Sequence, residues 1–443
     1  MPTRAADPAE TARKWLHLAP GLLAFAVGSL GFVGSVLLVL ALLAFNLWIF
    51  PRLGARRLYR PHEVARDEAP GMIFYPVALL IVALAAPDRP EILAGAWGLL
   101  AFGDAAATLA GRRWGRRQLP WNPEKSWSGL VACLLASWAV VTLLVLWTVP
   151  GRYGAAQVVG AAAVAAVVAA IVETLPWAMD DNLSVTLLGG AALFMGLALV
   201  DAGGNLVQPD RDVWIAAAAI VILAALALAT RALERSGVLS GVLVALPICL
   251  GAGWRGLALL LLFVVTGTAA SRWRRRRIDP EGVEPPRSAR NVLANGSVAA
   301  GCGLLLWWDP STVADVALAA ALAAATADTV GGEIGMAVGG RTWSCVGLDR
   351  VEPGTDGGVS WAGLLATGLA AVAVAGAGMT LGLLSAASAA IVALAGTAGS
   401  LLDSLLGATL ERRGQLDNEA VNLLSTMAAA WLAAVLAGGW FPT

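Results

Sequence analysis

Five acids lie in or at the ends of apolar runs: Asp104, Glu173, Asp328, Glu333 and Asp403. An acid at the centre of a membrane helix costs ~2.5–3.5 kcal/mol on insertion scales, so such a residue usually faces a polar cavity. The chain holds 30 basic residues, and only Lys14 and Lys125 are lysine. Lys125 closes the loop GRRWGRRQLPWNPEKSWSG (111–129), which follows the run that carries Asp104. That loop already has four arginines, so a further charge was not needed to anchor it. A compact ammonium on a flexible stem suits a moving phosphoryl group, whereas a planar guanidinium is a fixed fork. Asp104 and Glu173 in one half, and Asp328 and Asp403 in the other, are therefore the candidate catalytic acids, with Lys125 beside the first pair.

Carboxylates with a neighbouring amide are hard oxygen ligands that suit Mg²⁺, an ion that commonly arrives with phosphates. The candidate ligands are Asp104, Glu173, Asp180, Asp181 and Asn182, then Asp328, Glu333, Asp403, Asp417 and Asn418. Asp328 and Glu333 lie about 140° apart on an ideal helix, so they converge only if that helix end is distorted. Phosphate contacts are expected from cationic side chains and Gly-rich backbone. In the first half these are Arg112, Arg116, Lys125, Ser126 and Gly129, although most of the loop arginines read as membrane-edge anchors. In the second half, where VEPGTDGGVS is the Gly-rich stretch, they are Arg341, Arg350, Thr355, Gly357, Gly358 and Ser360. Neither lysine follows a glycine, which excludes a P-loop. His17 and His62 are the only histidines, so a di-histidine metal site is not expected, and the four cysteines have no metal-type spacing.

The elements that must position these residues are membrane helices. Hydrophobic residues make up 58% of the 443, charged residues only 14%, and mean hydropathy is +0.74. Soluble domains carry about a quarter charged residues, so the fold class is an all-α polytopic integral membrane protein. Apolar runs predict fifteen spans: 16–29, 31–49, 71–87, 91–110, 128–149, 154–175, 184–200, 212–231, 237–252, 256–271, 291–308, 312–335, 359–379, 382–407 and 419–439. The first run continues to Phe50, which reads as a retained helix, not a cleaved leader. With the N-terminus cytoplasmic, alternate loops on that side collect 26 of the basic residues and the other side 4. This expectation puts the acid-bearing loops inside and the C-terminus outside a cytoplasmic membrane. The block RWRRRR (272–277) then reads as a patch facing the lipid surface.

Asp104-x3-Thr108-x2-Gly111-x3-Gly115 recurs as Asp328-x3-Gly332-x2-Gly335-x3-Gly339, offsets that share one helical face. Each is followed by a Ser-Trp-x-Gly-Leu step, at Ser126 and Ser360, and later by an acid and an Asp-Asn pair. The chain thus reads as two tandem, parallel repeats, 1–205 and 232–443, joined by 206–231 with its own helix.

The stretches RKWLH with Gly21, GDAAATLAGRRWGRRQLPWNPEKSWSG and VETLPWAMDDNLSV together resemble the phytol kinase and dolichol kinase family over roughly residues 10–200. That resemblance implies a membrane enzyme that phosphorylates a long isoprenoid alcohol, typically with CTP. The second half is similar to the family containing phytyl-phosphate kinase, through RSGVLSGVLVALPICLGAGWRG, RNVLANGSVAAG, ATADTVGGEIG, VEPGTDGGVSWAG, GSLLDSLLGATL and LDNEAVNLLST. It implies conversion of the monophosphate to the diphosphate. The expected partners are then a prenol, its monophosphate, CTP, Mg²⁺ and the bilayer, and nucleic acid is not among them. Two alternatives stand beside this: a CTP-dependent lipid cytidylyltransferase and a lipid-phosphate transporter.

Overall fold

Nearly every apolar run of the sequence becomes helix, as a computed structural model of the chain shows. The structure describes residues 18–53, 70–175, 180–201, 218–224, 234–278, 287–308, 310 and 313–438. Contacts divide the chain into two units, Met1–Gly203 and Gly204–Thr443. His17, His62 and most of the expected joining helix fall outside the described residues.

In the first unit, α1 (Val27–Ala44) sits between a 3-10 turn and a π turn and is broken at Gly31, whose φ of +63° only glycine adopts without strain. There follow α2 (Pro70–Ala85), α3 (Pro90–Gly98), a π turn (Leu99–Gly103) and α4 (Asp104–Trp114). A hairpin of β1 (Gln118–Leu119) and β2 (Asn122–Ser126) leads into α5 (Trp127–Thr148), α6 (Ala155–Glu173) and α7 (Asp181–Asp201). Pro90 opens α3 where its missing N–H is no loss, and Trp97 on that helix is fully buried with its indole donating to Tyr75. At the far end of α3 from Asp104, Glu91 is fully buried and bound by Arg89 at 2.7 Å and by the Tyr153 hydroxyl at 3.1 Å. Arg89 and Arg152 also pair with Asp201, so this cluster fastens three inter-helix segments together.

The second unit starts with α8 (Arg235–Ile278), broken at Gly253 with φ +59°, then α9 (Ala289–Trp308) and α10 (Ala314–Val338). Strands β3 (Thr342–Ser344), β4 (Arg350–Val351) and β5 (Gly358–Ser360) form an antiparallel sheet in the order β4-β3-β5. After them come α11 (Trp361–Thr380), α12 (Ala386–Leu406) continued by a π turn (Gly407–Glu411), and α13 (Asn418–Leu436). The middle of α10 is nearly all alanine and fully buried, because neighbours approach its backbone closely. A side chain on Gly396 or Gly399 of α12 would meet Ala323 or Ala324 at under 3 Å.

Ten helices among the described residues are long and apolar enough to span a bilayer, against the fifteen expected. Two of the ten runs, Leu18–Ile49 and Ser236–Ile278, are each two helices that meet at a break, at Gly31 and Gly253, where the sequence divides 16–29 from 31–49 and 237–252 from 256–271. The expected span 212–231 lies mostly outside the described residues, and 291–308 is α9, which is not among the ten. Helix α2 is shorter than a full span. The most buried spans of the ten are Pro90–Trp114 and Ala314–Val338, the two that carry Asp104 and Asp328.

Candidate functional site

The two Ser-Trp-x-Gly-Leu steps fold alike. Ser126 and Ser360 both adopt extended backbone and cap the following helix, each accepting from the backbone N–H three residues on, Gly129 or Gly363, at 3.2 Å. A side chain on Gly129 would fall 2.9 Å from the Ala107 carbonyl, and one on Gly363 would fall 3.0 Å from the Gly331 carbonyl. Each capped helix therefore lies against the small-residue stripe that runs from Asp104 or Asp328. The stripe is a packing seam: its glycines, Gly111 and Gly335, meet the caps at Ser126 and Ser360, and its acid lies about two turns further along the same helix.

In the first unit a π turn immediately precedes Asp104, which is 6% exposed. Such turns shift a helical face by part of a turn and are frequent at functional sites. The hairpin brings Lys125 to the same region. Its Nζ donates to Glu173 Oε1 at 2.6 Å and to Asp181 Oδ2 at 3.0 Å. Burial alone works against a charged lysine here, but the two carboxylates outweigh it and hold the ammonium charged above its ordinary range. Two hydrogen bonds set this geometry: Asn122 Nδ2 to the Thr174 carbonyl at 3.1 Å, and Trp121 Nε1 to Thr174 Oγ1 at 3.2 Å. They tie the hairpin turn to the residue after Glu173. Glu173 Oε2 is buried and without a hydrogen-bond partner.

The other expected residues of this half are placed differently. Asp180 accepts from the Asn182 backbone at 2.9 Å, while buried Asn182 donates to the Gly71 carbonyl at 3.0 Å. Both are occupied in joining α7 to the start of α2. Arg112 and Arg116 are exposed beyond the seam.

In the second unit a cavity of about 200 Å³ is lined by Asp328, Asp403, Glu411, Thr355, Gly357, Gly358, Ser360 and Asn418 among others. The carboxyls of Asp328 and Asp403 face one another within interaction distance, and Asp403 also accepts from Ser425 Oγ at 3.1 Å. Among the described residues no lysine, arginine or histidine lines this cavity. Gly357 has φ +66°, and a side chain there would strike Ala408 N at 2.2 Å, so the Gly-rich loop is seated directly on the π turn after α12. Arg412, read in the sequence only as a membrane-edge charge, straps that loop: its Nε donates to the Asp356 carbonyl at 2.7 Å.

Four expected residues are not brought to this cavity. Glu333 is engaged by Arg274 and by Ser271 Oγ at 2.8 Å, as its 140° offset from Asp328 foreshadows. Asp417 caps α13 through the Ala420 N–H and pairs with Arg290. Arg341 and Arg350 are exposed on the sheet side.

Among the described residues no group of three or more His, Cys, Asp or Glu is arranged as a protein-only metal cage. The donors present fit Mg²⁺ that draws its remaining ligands from phosphate and water. Glu173 Oε2 is a buried oxygen with no partner, and the carboxyls of Asp328 and Asp403 converge on one cavity, where they could share an ion.

Helices of membrane length with acids at their ends, beside short polar hairpins, define a polytopic membrane protein. The chain belongs to the integral membrane protein family DUF92, which matches residues 218–430. An uncharacterised membrane protein of Methanocaldococcus jannaschii is 32% identical over 216 residues, 47% of this chain and 87% of that one. A phytol kinase of Synechocystis is 31% identical over 197 residues, covering 42% and 78% of the two chains. The chloroplastic protein VTE6 of Arabidopsis thaliana is 26% identical over 236 residues, covering 50% and 71%. No solved structure matches the chain.

Proposed function

We propose that the chain is a bifunctional isoprenoid kinase of the cytoplasmic membrane. The first unit phosphorylates a prenol of the phytol, geranylgeraniol or farnesol type, and the second converts the monophosphate to the diphosphate, with CTP as donor. The observation that carries this reading is the contrast between two sites built on the same seam. One holds Lys125 between Glu173 and Asp181, and the other is a lysine-free acidic cavity under a Gly-rich loop. The relatives named phytol kinase support the reaction class.

The chemistry of the two acceptors fits this contrast. An alcohol must lose a proton as it attacks, and Glu173 Oε2 and Asp104 are the buried carboxylate oxygens available to take it. Lys125 occupies Glu173 Oε1 and leaves Oε2 for that proton. A monophosphate is already anionic and needs positioning and charge neutralisation more than a base. In the second unit the Gly357 N–H and the Ser360 hydroxyl are the groups that would orient phosphate oxygens, while the Gly358 N–H and the Thr355 hydroxyl shape the loop by donating to the Thr355 and Glu352 carbonyls at 2.8 and 2.7 Å. Mg²⁺, held in the first unit by whichever of Asp104 and Glu173 does not take the proton, and by Asp328 and Asp403 in the second, would neutralise the phosphate charge.

Purified chain given prenol and prenyl monophosphate with CTP labelled separately at the α- and γ-phosphates tests the reading. Label from the γ-phosphate in both lipid products is expected. Label from the α-phosphate would mean a cytidylyltransferase, and lipid movement without lipid phosphorylation a transporter.

A further inference from the structure

The lysine of the first unit raises a question of charge that the second unit answers in another way. Lys125 Nζ bridges Glu173 and Asp181, so a monovalent cation of the protein itself sits between two carboxylates. Glu173 is 3% exposed and its second oxygen has no partner, so the position is enclosed and cation-seeking. The matched caps at Ser126 and Ser360 put Val359 where the first unit has Lys125. Val359 cannot neutralise anything. The second cavity still gathers Asp328, Asp356, Asp403 and Glu411, with no basic side chain in its lining among the described residues. Arg412 is turned to backbone and to Ser344 at the loop's edge, and Arg290 is held by Asp417 and Glu419. A cavity so charged repels two phosphate-bearing substrates unless metal ions supply what the lysine supplies next door.

We infer that Lys125 stands in the position of a divalent cation, so that the first unit binds one divalent ion fewer than the second. This rests on the reading of Asp104, Glu173, Asp328 and Asp403 as Mg²⁺ ligands. The difference also sets metal demand: the second reaction depends on divalent ion to a higher order than the first.

The test is a Mn²⁺ titration of the full-length chain in detergent, with the metal alone, following loss of the free-ion EPR signal. Lys125→Val should bind one Mn²⁺ more than the wild type, because Glu173 and Asp181 lose their built-in cation. Val359→Lys should bind one fewer. Monodisperse elution of each variant shows that it is folded, and the two substitutions predict opposite changes, which unfolding cannot produce. If Lys125→Val and Val359→Lys both bind as many ions as the wild type, the inference is overturned while the ligand reading stands. If Asp403→Asn and Glu173→Gln also leave Mn²⁺ binding unchanged, the ligand reading falls with it.

Discussion

Lys125 Nζ lies 2.6 Å from Glu173 Oε1, joining the end of a surface hairpin to the buried end of α6, 48 residues away. The pair is unequal, since the glutamate is almost wholly enclosed and the lysine is 30% exposed. The ammonium thus has one side toward solvent, while the carboxylate is enclosed.

Lys125→Arg keeps the charge but should lower prenol phosphorylation at least ~10-fold, because the larger planar guanidinium cannot occupy the compact ammonium's position without moving its neighbours. Lys125→Met should also destabilise the first unit by about 1–3 kcal/mol, by leaving a buried carboxylate unpaired; the lysine's exposure keeps the figure below that of a fully buried pair. Steady-state kinetics and thermal unfolding check the two effects. Wild-type prenol kinetics in Lys125→Arg would reduce this lysine to a membrane-edge charge.

Asn122→Ala removes the hydrogen bond that ties the hairpin turn to Thr174 and should cost about 1–3 kcal/mol, since a buried carbonyl loses its donor. Lys125 is then no longer delivered to Glu173, so kcat for the prenol step should fall while conversion of supplied monophosphate continues. An unchanged prenol kcat would show that the hairpin does not position the lysine.

Some of this was legible in the sequence, and the limits are physical. The offsets of 4, 7 and 11 from Asp104 and Asp328 announced one helical face, but only the fold shows that the stripe receives the capped helix at Gly129 and Gly363. Lys125 stood out by rarity, and Glu173 and Asp181 as acids near helix ends. Their direct contact with it did not, because a 48-residue pairing depends on the Asn122 and Trp121 contacts to Thr174, and amides in turns carry no periodic signal. The Asp-Asn pairs looked alike in both halves, and the fold separates their members: Asp181 meets Lys125 and Asn418 lines the second cavity, while Asn182 holds Gly71 and Asp417 caps α13. Arg412 was hidden in a run of loop arginines, since composition cannot separate a strap from an anchor. The breaks at Gly31 and Gly253 fall where hydropathy divides 16–29 from 31–49 and 237–252 from 256–271, because glycine takes a positive φ there without strain.

Gly357→Ala should abolish the monophosphate step and spare the prenol step. The new methyl group meets backbone at 2.2 Å in a left-handed conformation, so the loop must lift from the π turn. The two reactions measured on one preparation decide it. Retained diphosphate formation would separate the Gly-rich loop from the second site.

Orientation follows from the charge split and is checked by labelling. In a background lacking Cys133, Cys249, Cys302 and Cys345, single cysteines at Arg116 and Gly414 should react only from the cytoplasmic side, and one at Asp88 only from the other. Labelling of 116 and 414 from opposite faces would contradict the arrangement of both sites on one side.

The most direct test of the central claim pairs Asp104→Asn with Asp328→Asn and measures both reactions on each purified variant. Asparagine keeps size and hydrogen bonding but removes the charge that holds a metal ion, so the affected step should fall by more than ~10²-fold. Asp104→Asn should lose prenol phosphorylation and still convert supplied monophosphate to diphosphate. Asp328→Asn should accumulate monophosphate from prenol and form no diphosphate. Loss of both steps in either variant, with folding intact, would show one composite site and contradict the assignment of one reaction to each unit.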